Sequence, residues 1–287
     1  MAIRKYYLSW LRSAMITCLC LCAWSAHAET PAETNRQLTF GILPFSSPLT
    51  LFKRFAPLTE HLSQQLGRPI KLESARDFDT FVQRTQARHY DLVMTAPHFV
   101  LLALDAGYYE ARAIYSEPLY AIIAVRQDSP IRSIKELHQG KISTPSAFAA
   151  ITLAGRHYLQ SQGLSGDDSP RYVHHKTHDA SLYAMLGRET DAAIASINVV
   201  NRHLAQGHSL RILDRSSPLP GMGILVAKDL PDLLKHQIEE LVVNLQRNPE
   251  GQAILKKIQY PGYRKIKDGE FEAVRNFLSI KPDITTQ

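Results

Sequence analysis

The chain has 287 residues, 45% of them hydrophobic and 21% charged, with a formal net charge of +6. That composition suits a globular chain of one large or two smaller domains. It has no basic block and no aromatic-basic stripe, which excludes nucleic-acid binding as a reading, and its three cysteines, Cys18, Cys20 and Cys22, all lie near the N-terminus.

Residues 1–28 read as a secretory signal. Arg4, Lys5 and Arg12 form a basic n-region, Met15 to Trp24 an apolar h-region, and Ala26-His27-Ala28 an A-x-A cleavage site. The apolar stretch is too short for a membrane span. Cleavage after Ala28 leaves 259 residues without a thiol, and 30 basic side chains against 27 acidic ones, a formal charge of +3. An exported chain with no disulfide fits a bacterial periplasm.

From there the chain alternates strand and helix signals. Leu38 to Leu43 reads as a buried strand. Leu51, Phe52, Phe55, Leu58, Leu62 and Leu66 recur at helical spacing, and Gly67 is the stop. Ile70 to Glu73 is extended, Asp79 to Arg88 helical, Tyr90 to Thr95 extended, and Pro97 to Ala106 helical. Tyr108-Tyr109 read as a surface aromatic pair. An apolar run from Leu119 to Val125 precedes a short helix around Ser133 to Leu137.

The rhythm then repeats. Ile142 to Thr144, Arg171 to His174, Asp191 to Ala195 and Leu210 to Asp214 are extended. Between them lie helical stretches at Ala147 to Gln162, Asp179 to Leu186 and Val199 to Ala205. Gly223 to Ala227 is a further strand, and Leu233 to Gln246 a long helix. Repeated βα units imply an α/β fold whose sheets are mainly parallel and flanked by helices.

Two short crossings, near Ser116 to Ile122 and Ser216 to Ile224, divide the chain into two lobes. The first is discontinuous, residues 36–117 plus 222–287, and the second spans 118–221. Two lobes joined by two crossings place a ligand in the cleft where strand ends converge, with closure by hinge rotation.

Four segments carry a family resemblance. They are Phe40-Gly41-Ile42-Leu43-Pro44, the helix Leu58-Thr59-Glu60-His61-Leu62 running through Gly67-Arg68-Pro69-Ile70, Tyr90-Asp91-Leu92-Val93 leading to Ala96-Pro97, and Thr177-His178-Asp179-Ala180-Ser181 followed by Asp191-Ala192-Ala193. Together they resemble the periplasmic phosphate/phosphite/phosphonate-binding family, solute-binding components of ABC importers, over Leu38 to about Leu230. The resemblance implies a type II periplasmic binding protein fold, with hinge closure around a small ligand and delivery to an ABC permease. The alternative partner is a membrane histidine kinase that reads the closed state.

The resemblance also assigns ligand contacts. The aromatic of the first crossing corresponds to Tyr120 and the cleft histidine to His178. The anion cradle "P-x-S-T-S-G" corresponds to Pro145-Ser146-Ala147-Phe148-Ala149-Ala150, where alanines and a phenylalanine replace the hydroxyls and the glycine. Each missing charge-assisted hydrogen bond is worth ~1.5–3 kcal/mol to an oxyanion. A ligand less anionic than a simple phosphonate, flat or apolar, is therefore expected.

The expected binding residues are Phe45, Ser46, His98, Tyr120, Ser146, Ala147, Phe148, His178 and Asn198. The bland alternatives are packing for Phe148 and Ala147, a half-buried hinge residue for Tyr120, and helix capping for Ser46. His174 and His175 lack zinc-site spacing, and no metal or cofactor is expected. The sequence has no G-x-S-x-G elbow, P-loop, G-x-G-x-x-G or H-E-x-x-H, so a monomeric binding protein, rather than an enzyme, is expected.

Overall fold

The computed structural model describes residues 36–272 and 274–275. The signal-like segment, its cysteines and the last twelve residues lie outside the described residues. No helix among the described residues is long and apolar enough to cross a membrane.

The first unit of the fold is β1 (Leu38–Ile42), α1 (Pro48–Leu66) and β2 (Ile70–Glu73). Helix α1 starts where the Ser47 hydroxyl accepts from the Thr50 amide, with Pro48 in the first turn, and stops at Gly67, whose φ of 61° suits glycine. Leu51, Phe55, Leu58 and Leu62 form its buried stripe. Phe52, expected on that stripe, is 41% exposed, because it sits a third of a turn away from Leu51. Next come α2 (Phe78–Gln86), β3 (Leu92–Thr95), α3 (Pro97–Asp105) and β4 (Tyr109–Tyr115).

The chain then crosses into β5 (Ala121–Arg126), β6 (Lys141–Thr144), α4 (Ala150–Ser161), β7 (Arg171–His174), α5 (His178–Leu186), β8 (Ala192–Ser196), α6 (Ile197–Ala205) and β9 (Leu210–Arg215). It returns through β10 (Gly223–Ala227), α7 (Asp232–Val243), α8 (Pro249–Ile258) and β11 (Tyr263–Lys265).

Two sheets result. One has the order β11-β4-β10-β3-β1-β2 and the other β7-β6-β8-β5-β9. In the first, β1, β2, β3 and β4 run one way and β10 and β11 the other. In the second, only β5 opposes its neighbours. The sheets are thus mixed, and the exceptions have a cause. Strands β5 and β10 are entered through the two crossings, which run antiparallel to each other, so β5 opposes β9 and β10 opposes β4. The crossings pair with each other through Leu119 and Leu219, whose amides and carbonyls bond in both directions at 2.9 and 2.8 Å.

Each sheet buries its own core. Phe40, Phe55, Leu92, Tyr109 and Ile238 belong to that of the first. The second sheet has one cluster on each face: Ala121, Ile123 and Val125 point to one, and Ile122 and Ala124 to the other. Close approach fixes one glycine in β1. A Cβ on Gly41 would lie 2.6 Å from the Tyr90 ring.

Candidate functional site

A cavity of roughly 750 Å³ opens where strands of both sheets end and helices begin. Five strand-to-helix turns supply most of its wall, and a sixth, after β2, adds Phe78. Phe45 and Ser46 follow β1, Ala96 and His98 follow β3, Ala149 and Ala150 lie beyond β6, Thr177 and His178 follow β7, and Ser196 and Asn198 lie at the end of β8. Five helix N-termini therefore converge, each with amides that lack an intrahelical acceptor and with the positive end of its dipole inward.

Two of those termini are capped from their own sequence, α1 by Ser47 and α5 by the Thr177 hydroxyl on the Ala180 amide. The other three, α3 after Ala96, α4 after Ala149 and α6 after Ser196, have no side-chain cap. Uncapped helix starts at a cavity wall favour a negatively charged group.

Two histidines face one another in role. The His178 Nδ1 accepts from the Ser196 amide at 3.2 Å, so its proton sits on Nε2, leaving a donor at the cavity. His98 donates from Nε2 to the Phe148 carbonyl at 2.9 Å, a bond that ties α3 of the first sheet to the turn after β6 of the second. Burial pushes both imidazoles down to about 4, so both are neutral at physiological pH.

The charged wall is uneven. Asp179 accepts from Arg202 Nη2 at 2.5 Å and from His203 Nε2 at 2.9 Å. Burial pulls its carboxyl up, but these two donors outweigh it and hold the pKa below the ordinary carboxylate value. Arg54, on α1, has no carboxylate partner among the described residues. It donates to the Ile258 carbonyl at 2.5 Å, and its guanidinium lies 5.6 Å from the Phe45 ring centroid. Burial pushes the Tyr115 hydroxyl up to about 12, against a smaller lowering by the neighbouring Asn198 side chain.

Of the residues expected at the site, Phe45, Ser46, His98, His178 and Asn198 line this cavity, and Tyr120, Ser146, Ala147 and Phe148 do not. Tyr120 follows strand parity: it falls on the Ile122 and Ala124 face of the second sheet, under Arg215, whose guanidinium is 5.1 Å from its ring. Helix α4 begins three residues later than its pattern suggests. The Ser146 carbonyl accepts from the Ala149 amide at 2.9 Å, forming a turn that carries Phe148 outward to 38% exposure. Ala149, Ala150 and Ile151 then meet the cavity instead.

Arg54, Tyr115, Asn201, Arg202 and Tyr260 line the cavity without having been singled out from the sequence. A signal existed for Arg54, a cation set between Leu51 and Leu58 on an otherwise apolar helix face. None existed for Tyr260, which lies in irregular chain between α8 and β11. Away from the cavity, His236, Glu239 and Glu240 cluster on α7. Lys265 Nζ already neutralises both glutamates at 2.7 Å, so a cation there would have to displace it.

Helix N-termini and strand ends of two mixed sheets, meeting at one cavity beside paired crossings, define the type II periplasmic binding proteins. Solved structures agree. The chain superposes on a binding protein component of an ABC phosphonate transporter from Pseudomonas aeruginosa with a TM-score of 0.72, at 18% identity, covering 85% of this chain and 86% of that one. It superposes on PhnD1 from Prochlorococcus marinus in complex with methylphosphonate with a TM-score of 0.74, at 16% identity, covering 84% and 96%. In sequence it is 21% identical over 271 residues to the phosphonates-binding periplasmic protein of Escherichia coli, covering 89% of this chain and 79% of that protein. Residues 40–271 match the family described as ABC transporter, phosphonate, periplasmic substrate-binding protein, and the chain belongs to that family. Its relatives are periplasmic substrate-binding components of ABC transporters, not enzymes.

Proposed function

We propose that this protein captures one small anionic solute in the cavity between its two sheets, closes by rotation at the paired crossings, and presents the closed form to an ABC permease. The two lobes are residues 36–117 with the chain from 222 onward, and residues 118–221. The observation that carries this reading is the convergence of five helix N-termini from both sheets on one cavity, three of them uncapped. Closure brings together donors that neither lobe holds alone.

The ligand is not a simple phosphonate. A cavity of roughly 750 Å³ is in the range that encloses a drug-sized molecule. A bare tetrahedral anion would leave most of it to water, and the one cradle hydroxyl position that lines the cavity, Ala149, carries a methyl where the resemblance puts a serine.

Thermal-shift screening of the protein against a broad library of periplasmic solutes tests this. A solute present at a hundred times its Kd adds ~2.7 kcal/mol, and the hit should also reduce the radius of gyration in X-ray scattering. Phosphate, phosphite and methylphosphonate should give smaller shifts than that hit. A library that raises no melting temperature, or a hit that leaves the radius unchanged, would remove the reading.

A further inference from the structure

The cavity wall is divided by chemistry along the line between the sheets. Phe45, Phe78, Phe99, Tyr115, Tyr260 and Met222 all come from the first-sheet part of the chain. Two pairs among them already touch, Phe78 with Phe99 at 5.9 Å and Tyr115 with Tyr260 at 4.4 Å between centroids. The second-sheet part contributes no Phe, Tyr or Trp to the cavity. It offers instead the starts of α4, α5 and α6, the His178 N–H, and the amides of Asn198 and Asn201.

Charge divides the wall too. Asp179 is the only carboxylate among the described lining residues, and it is compensated by Arg202 and His203. Arg54 is a lining cation with no carboxylate partner among the described residues. One unmatched positive charge and no unmatched negative one suit a ligand of net charge minus one. A ligand ammonium would be desolvated beside a carboxylate whose charge is already taken, which is costly.

Building on the solute-capture reading, we infer that the cavity takes an aromatic monoanion without an amino group. Its ring would lie on the aromatic wall of the first lobe, and its acidic head would meet the donors of the second, within the field of Arg54. Ring-on-ring contact contributes beyond buried area, and a carboxylate needs fewer charge-assisted donors than a tetrahedral dianion.

Calorimetric titration with phenylacetate, phenylphosphonate, acetate, methylphosphonate and phenylalanine tests the class. Phenylacetate or phenylphosphonate should bind about tenfold or more tighter than its ring-free counterpart, and phenylacetate about tenfold tighter than phenylalanine. Phenylacetate should also bind tighter than phenylphosphonate, whose head carries more than one negative charge near neutral pH, and the reverse order would overturn the monoanion. Arg54→Gln should weaken the aromatic acid about tenfold, and Arg54→Lys, which keeps the charge, should restore most of it. Ligand-free melting temperatures check that both variants fold.

Equal or tighter binding of methylphosphonate, acetate or phenylalanine would overturn the inference and leave solute capture standing. So would an aromatic acid indifferent to Arg54→Gln. Silence from all five probes alongside a library hit of another class overturns it as well. Silence from the probes and the library together sinks both readings.

Discussion

His98 shows how one side chain can couple the fold to pH. Its imidazole is held near 4 by burial, against 6.5 in the unfolded chain, so the unfolded state binds more protons between those values. Stability is therefore complete above pH 6.5 and declines as pH falls towards 4, by about 3 kcal/mol from this residue. His98→Gln keeps a donor for the Phe148 carbonyl but cannot titrate. Its melting temperature should fall less than that of the wild type across pH 6.5 to 4, and parallel curves would contradict the assignment. At this scale the sequence was half legible. His98 and His178 could be placed because they follow strand ends, where the fold makes its turns. Tyr120 could not, because parity along β5 depends on where the strand begins. Tyr115 went unseen because the strand that carries it went unseen.

That strand, β4, illustrates what element-level patterning misses. Glu110 and Arg112 interrupt its apolar alternation; they pair with each other and also with partners far along the chain, Lys235 Nζ donating to Glu110 at 3.3 Å and Arg112 lying 3.6 Å from Glu239. Tyr109, read as a surface residue, is buried with its hydroxyl donating to the Tyr90 carbonyl at 2.8 Å. Long amphipathic α1 and the strand-helix alternation were readable because local residues decide them. The longer-range ion pairs of β4 depend on α7, and no local window contains both. Two predictions belong here. Ala149 has extended backbone at an uncapped helix start, so Ala149→Asp should stabilise the ligand-free protein by about 1 kcal/mol through capping. The same carboxylate repels an anion at the cavity, so the melting temperature should rise while affinity falls; a change of the same sign in both would contradict the geometry. Gly41→Ala forces a methyl to within 2.6 Å of the Tyr90 ring, and chemical denaturation should show a loss of about 1–3 kcal/mol.

For the whole molecule, the order of strands has a consequence for the order of folding. Strand β10 lies between β3 and β4 in the first sheet, yet it comes more than a hundred residues after β4 in the chain. The second sheet is assembled wholly from residues 121–215. In a chain that emerges N-terminus first, the earlier-made half must wait with two unjoined edges while the later-made half can already consolidate, since loop closure delays non-local pairing. Pulsed hydrogen exchange during refolding should therefore protect amides of β6 and β8 before those of β3 and β4. A protein cut after residue 220 should retain exchange protection in the second sheet and lose it in the first. Simultaneous protection of both sheets would refute this sequence of events. The inserted strand thus acts as a late keystone: the sheet whose part of the chain holds the aromatic wall is sealed only after the other sheet exists.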